Sequence, residues 1–264
     1  MKTSIKFLPI NKINNSLKNN MWDIYKKYYS YSETYFKQRI TKNTHFAFFY
    51  EGKQLVGFTG LRINKIKVAN KKTLLLYFGQ AVIETKYRSK NLLARMSIII
   101  GRKYFWDLLF SDGYCWCDTI SFKSYLFFAK SMAEFYPTYR EETPIKEELV
   151  IFNIGETFYP DSFSPMSGTV KKEKNYVNDP AAIITKRHLS SPDINFYATA
   201  NPGYAQGHGL ITIVPMSIKN LMHLVRKSIK KQILRKKRKL ALRSALPFKW
   251  NYRVKLQELV LRIL

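Results

Sequence analysis

The stretch Leu74-Leu75-Leu76-Tyr77-Phe78-Gly79-Gln80-Ala81-Val82-Ile83, continued by Glu84-Thr85-Lys86-Tyr87-Arg88-Ser89-Lys90-Asn91-Leu92-Leu93, decides how the rest of the chain is read. Its first half is apolar, and Thr73 to Ile83 predicts a strand inside a sheet. Glu84 to Ser89 is a short polar link. From about Asn91 to Leu109, the residues Leu92, Met96, Ile99, Ile100, Phe105, Leu108 and Leu109 predict one long helix with a broad buried face. A strand that feeds a helix in this way leaves the first-turn N–H groups and the positive dipole end beside Arg88 and Lys90. That combination suits a phosphate or pyrophosphate. The same two cations also read as solvated charges at a helix entrance.

Upstream, Phe46 to Tyr50 and Leu55 to Ile63 read as a hairpin around Glu51-Gly52-Lys53-Gln54. Before it, Ile5 to Lys37 predicts a short strand and then helices. Leu17, Met21, Ile24 and Tyr28 recur at helical spacing, with Asn14 or Asn15 as one cap and Ser30 or Ser32 as the next. Downstream, Tyr114 to Thr119 predicts a strand, Phe122 to Phe135 a helix, and Glu147 to Phe152 another strand. The alternation argues for an α/β (α+β) fold, a mixed sheet flanked by helices. Residues 1–154 are expected to form the core. Residues 155–215, interrupted by Pro160, Pro165, Gly168, Pro180, Pro192 and Pro202, are expected as a loop-rich extension. Its late strand, Leu210 to Val214, would complete or cover that core.

Composition narrows the classes. Hydrophobic residues make up 46% of 264, with 18 Tyr and 18 Phe, which excludes general disorder and allows a sizeable core. No run reaches the roughly eighteen apolar residues of a spanning helix, and no leader-like segment opens the chain. Cys115 and Cys117 are the two cysteines, so a reducing cytoplasm is expected and neither a disulfide framework nor a zinc site is. With Asp118 they form a second cluster, for which a buried structural role is the favoured reading. The formal charge is +27, and residues 216–264 hold fifteen Lys or Arg against one acid, Glu258. Ile218, Met222, Val225, Ile229, Ile233 and Leu240 predict a basic amphipathic helix there, followed by an apolar element from Trp250 to Leu261. Such a segment fits an anionic membrane surface, an acidic protein partner such as an acyl carrier, or, less well, nucleic acid, for which no reading motif accompanies it.

The strand–link–helix passage resembles the pyrophosphate-binding element of the GCN5-related N-acyltransferase (GNAT) superfamily. Arg88 matches the first position of that motif, while Asn91 and Leu93 stand where the family has small residues. The hairpin with Val56-Gly57, the strand Tyr114 to Thr119 and the helix from Phe122 resemble the superfamily's neighbouring elements over about residues 5–152. The resemblance implies an acyl-CoA N-acyltransferase-like fold and transfer of an acyl group from acyl-CoA, or an acyl-carrier thioester, to a small-molecule amine acceptor, with no metal or prosthetic group. It implies donor binding by Val82, Arg88, Ser89, Lys90, Asn91, Leu92 and Leu93. Ser121 and Phe128 stand where members often carry an Asn and a phenolic acid, so Tyr125 is the substitute acid and Glu84 the base. The alternatives are a nucleic-acid-binding protein and a non-catalytic interaction protein on the same scaffold.

Overall fold

The computed structural model describes residues 3–172 and 182–245. The expected element from Trp250 to Leu261 lies outside the described residues. The chain divides into two compact units, Met1–Leu221 and Met222–Leu264.

In the first unit β1 (Thr3–Pro9), β2 (His45–Glu51), β3 (Gln54–Val68), β4 (Lys71–Ile83), β5 (Asp112–Thr119), β6 (Phe163–Ser164), β7 (Thr169–Val170) and β8 (Gly209–Pro215) form one sheet. Its order is β1-β2-β3-β4-β5-β8-β7-β6. Neighbours are antiparallel except β4 and β5, which run parallel. The crossover between those two is α3 (Leu92–Lys103) and α4 (Phe105–Phe110), so the parallel pair has the connection that it requires.

Alternation along the strands sorts the core onto two faces. Ala47, Phe49, Val56, Leu61, Leu74 and Leu76 pack under Leu92, Met96 and Ile100 of α3. On the other face, Phe46, Phe48 and Phe58 meet α1 (Asn15–Tyr25) and α2 (Glu33–Thr41) through Met21, Ile24, Tyr25, Phe36 and Ile40. Further along that face Leu75, Tyr77, Tyr114 and Trp116 pack against α5 (Phe122–Ser131), α6 (Ile145–Phe158) and α8 (Pro192–Ala200), the last preceded by the short α7 (Lys186–Leu189). The expected caps form: Asn14 Oδ1 accepts from Leu17 N at 2.9 Å and Ser32 Oγ from Tyr35 N at 3.2 Å.

Four expectations change. Glu147 to Phe152 is part of α6, not a strand. Pro144 sets the N-cap, Glu147 and Glu148 favour the positive first turn, and Val150, Ile151 and Ile154 bury one helical face. A short run such as Leu149 to Phe152 cannot distinguish the two states by its own pattern. The expected core boundary at residue 154 falls inside α6, while the late strand, β8, completes the sheet beside β5. The helix from Asn91 breaks at Tyr104 (φ −105°, ψ 18°), which turns Tyr104 and Leu108 onto the core under α3. The helix from Phe122 stops at Ser131, where Asn220 Oδ1 accepts from the N–H groups of Ala133 and Glu134 at 2.8 and 3.0 Å.

The helix α9 (Ile218–Ala245) has 28 residues, and its first turn belongs to the sheet unit. No described helix is long and apolar enough to cross a membrane.

β3 has no room for a side chain against β4 at Gly57, where an added Cβ would lie 2.5 Å from Val82 O and 2.9 Å from Ile83 Cα. Gly57→Ala is expected to cost about 1–3 kcal/mol by forcing the end of β4 outward. Urea denaturation measures this as a lowered midpoint with an unchanged slope.

Candidate active site

The parallel ladder between β4 and β5 runs only from Thr73–Asp112 to Tyr77–Trp116. Beyond it β4 stays with β3 as far as Ile83, while β5 stays with β8 as far as Thr119. The register of β3 against β4 also slips, from Gly60–Gly79 to Phe58–Val82, so Gln80 and Ala81 together face Thr59. That is a bulge, with Gln80 at φ 49°. Asn43 Nδ2 holds it by donating to Gln80 Oε1 at 2.6 Å, and Thr59 Oγ1 donates to Gly79 O at 3.1 Å. The result is a wedge between the C-terminal ends of two parallel strands, the place where open α/β sheets receive ligands.

Tyr77 and Asp118 meet across this wedge. The Tyr77 hydroxyl donates to Asp118 Oδ1 at 3.0 Å, and Lys172 Nζ donates to Asp118 Oδ2 at 3.0 Å, with 7% of the Asp118 side chain exposed. The Arg62 guanidinium lies 4.4 Å over the Tyr77 ring and 5.9 Å from that of Phe158. From α2, Arg39 lies 4.9 Å over Tyr31 and 5.9 Å over Tyr35. Tyr25 stacks on Tyr29 at 4.5 Å and on Tyr31 at 6.0 Å. Burial alone would raise the Asp118 carboxyl, but Lys172, Arg39 and Arg62 outweigh it and hold the group at about 2. Burial and then the Asp118 charge push the Tyr77 phenol well up. The wedge thus joins a carboxylate, a phenol that keeps its proton and an excess of cations.

The residues expected to bind a donor sit at the end of β4 and in the turns after it. Arg88 and Lys90 lie on a 3-10 turn, Thr85–Lys90. Arg88 Nε donates to Ile83 O at 3.0 Å, and its guanidinium lies 5.1 Å over Tyr28. Lys90 Nζ pairs with Glu51 at 2.9 Å. The hydroxyl of Tyr87 donates to the same carboxylate at 2.6 Å. These two hydrogen bonds, Tyr87's first, bring Glu51 to about 2. Ser89 is exposed. Asn91 opens α3 in the left-handed conformation (φ 53°, ψ 37°). Val82 and Leu92 are buried in the core and Leu93 packs against it, so these three offer backbone rather than side chain to a ligand.

The two expected catalytic residues stand apart. Glu84 follows β4, its Oε1 paired with Lys27 at 3.0 Å. Tyr125 is fully buried on α5, its hydroxyl donating to Pro137 O at 3.1 Å among Phe135, Phe196 and Tyr197. No interaction among the described residues links the two. Burial pushes the Cys115 thiol up to about 12, and burial with the neighbouring Asp118 charge raises the Cys117 thiol well above its ordinary value, which leaves both as thiols. Among the described residues no group of three His, Cys, Asp or Glu could hold a metal ion. Sequence reading missed Arg39, Arg62 and Lys172. The signal for Tyr77 was present, a single polar-tipped residue after three leucines.

No family model matches the chain, and no curated protein matches it. Solved structures do. The chain is similar to the ribosomal-protein-S18-alanine N-acetyltransferase from Escherichia coli (7% identity over 82% of this chain and 96% of that one, TM-score 0.41). It is similar to a GNAT family acetyltransferase of Staphylococcus aureus (18% identity, 43% of this chain and 84% of that one, TM-score 0.31). It is also similar to a conserved protein of unknown function from Enterococcus faecalis V583, described as "Probable N-Acyltransferase" (11% identity, 51% of this chain, TM-score 0.38). The match spans 32% of that protein's length.

The folded Asp118 carboxyl lies below its ordinary value of 3.8, so its contribution to stability is complete above that value and is lost as pH falls towards about 2. In urea titrations the stability gap between the protein and Asp118→Asn is expected to narrow by roughly 2 kcal/mol between about pH 5 and about pH 2.

Proposed function

We propose that this chain is an N-acyltransferase that moves an acyl group from acyl-CoA, or an acyl-carrier thioester, to an amine at the wedge between β4 and β5. The observation that carries this is the parting of the parallel strands. Among the described residues, β4 has no strand on its β5 side from Phe78 to Ile83, and its backbone groups there can pair with an extended donor arm that itself contains amides. The donor's pyrophosphate would lie over the turn from Arg88 to Leu93, at the start of α3, as the resemblance of that turn implies. Arg88 and Lys90 would face it after exchanging their present partners, Ile83 O and Glu51.

In the reaction the amine nitrogen attacks the thioester carbonyl carbon, the C–N bond forms and the C–S bond breaks. Nitrogen loses one proton and sulfur gains one. Glu84, beside the end of β4, is the group proposed to take the proton. Tyr77 replaces Tyr125 as the group proposed to donate to the departing sulfur, because it lies at the wedge, with its hydroxyl on Asp118, whereas Tyr125 is held on Pro137 O. Exchange with water restores both groups. No metal is needed in this scheme.

A second observation favours work at an anionic membrane surface. On α4 Phe105, Trp106 and Phe110 are 54%, 69% and 76% exposed, beside the exposed Arg102 and Lys103. Aromatic residues grouped on a surface and bordered by cations suit the interface of an anionic bilayer. The basic residues after position 216 would add to the same attraction.

Acetyl-CoA or a longer acyl-CoA is expected to raise the melting temperature, and Arg88→Ala with Lys90→Ala to raise KM for the thioester about 10-fold with kcat little changed. A folded protein that shifts with no thioester would overturn the proposal. In co-sedimentation, phosphatidylglycerol vesicles should retain the protein and phosphatidylcholine vesicles should not. Trp106→Ser with Phe110→Ser should weaken retention at least ~5-fold. Equal retention of both proteins removes the α4 patch from the account.

A further inference from the structure

The helix α6 is apolar on two sides. Val150, Ile151 and Ile154 bury its inner face. The opposite side carries Ile145, Leu149 and Phe152, all exposed. Their spacing of four and then three residues sets them in one line along the helix. A helix that is apolar all round is ordinarily covered all round. Phe163 of β6 meets Phe152 edge-on at 6.3 Å, and Met166, on the turn after β6, is fully exposed. Glu148 and Glu156 share the outer face by their spacing from Ile145, and both are exposed. In a chain of formal charge +27, residues 141–161 hold Glu141, Glu142, Glu147, Glu148, Glu156 and Asp161 against one base, Lys146. That lysine is paired with Asp112 at 2.9 Å.

The helix α9 has the complementary character. Between Ile218 and Ala245 it holds eleven Lys or Arg and no acid. Met222, Val225, Ile229 and Ile233 recur at three- and four-residue intervals and are exposed. Arg226 and Lys230, exposed as well, border that stripe. The two stripes are similar in length: the 14 residues of α6 extend about 21 Å, and Met222 to Ile233 about 18 Å. Two copies of α9 would repel each other, because every formal charge along them is positive. An anionic bilayer would suit α9 and leave the outer face of α6 uncovered. That face offers α9 the opposite charge beside an apolar line of the same spacing.

We propose that the outer face of α6 docks α9 of a second copy of this chain. Met222, Val225, Ile229 and Ile233 lie against Ile145, Leu149 and Phe152, with Arg226 and Lys230 toward Glu148 and Glu156. The exchange is reciprocal, since each copy carries both surfaces, and a closed pair with two-fold symmetry results. One helix pair is small against the roughly 1,000 Å² of a stable interface, and the two contacts of a reciprocal dimer double it. Burial of the stripes supplies affinity, and the charges select the partner. The dimer depends neither on the transferase reading nor on the aromatic patch of α4.

Sedimentation equilibrium of the full chain, freed of nucleic acid, is expected to show a reversible monomer–dimer equilibrium. Ile145→Ser with Phe152→Ser should raise the dimer Kd at least ~10-fold, with the far-ultraviolet circular dichroism unchanged. Glu148→Lys with Glu156→Lys should weaken the dimer at least ~10-fold, and so should Arg226→Glu with Lys230→Glu. Mixing those two charge-reversed proteins, or combining all four changes in one chain, should restore association. The four charged residues are all exposed, so the reversals test the contact even where the Ser variant does not fold. A monomer at every concentration, a dimer indifferent to the stripe and charge changes, or reversals that fail to rescue each other would sink the proposal. Association that appears only on adding duplex DNA or phosphatidylglycerol vesicles would assign α9 to that polyanion and overturn the docking as well.

Discussion

Two parallel strands can share hydrogen bonds only while they run side by side, and in this fold β4 and β5 do so for five residue pairs before each follows its antiparallel neighbour. Nearly everything of functional interest depends on that limit. The bulge at Gln80 bends β4 where the ladder ends, and Gly79 leaves room for the Tyr77 ring to lie across the strand toward Asp118. Asn43, fixed at the end of α2, reaches Gln80 and couples the bulge to the helical layer. The other face of the sheet has none of these features. There α3 lies on an unbroken apolar floor, so the helix start is anchored while the strand edge beside it is free.

Electrostatics follow from the same geometry. Asp118 is carried to the wedge by β5, Tyr77 by β4, Arg62 by β3, Arg39 by α2 and Lys172 by the segment after β7. A carboxylate this deeply buried is expensive alone, and removing its partners would leave that cost uncompensated. Here several cations reverse the effect of burial on its proton affinity. Among the described residues one acid faces three basic side chains, which gives that part of the wedge a positive character. The formal +27 of the chain therefore says little about the site, because most of that charge lies on the surface or beyond residue 215.

Much of the fold was legible because local pattern and final structure agree. The hairpin around Gly52, the strand from Thr73, the caps at Asn14 and Ser32 and the start of α3 at Asn91 each depend on residues close together in sequence. Where tertiary packing decides, legibility ends. Leu149 to Phe152 is apolar enough for either state, and its packing against β8 and β3, after a start set by Pro144, favours the helix. The wedge was half legible. Its strand edge and adjoining turn were marked by the basic link, whereas Arg39, Arg62 and Lys172 come from segments with no shared motif. Nothing in the local sequence of an arginine tells that its guanidinium will end on a tyrosine ring from another element. Tyr125 illustrates the converse: a phenol at a suggestive spacing was drawn into the core by Phe135, Phe196 and Tyr197.

The turn before α3 shows why a departure from a motif must be weighed by backbone and not by side-chain size alone. Asn91 replaces a small residue, yet the position holds φ 53° and ψ 37°, a conformation that Asn adopts more readily than most residues with a side chain. The requirement there is the left-handed turn that redirects the chain from the 3-10 segment into α3, and Asn meets it. Leu93 also replaces a small residue, but its side chain packs against the cluster formed by Leu92, Met96 and the strands below. Bulk directed into the core does not stand in the way of a ligand approaching the helix from its N-terminal end. The backbone at the start of α3 thus keeps its N–H groups open from the N-terminal end, with Arg88 and Lys90 on the turn before it.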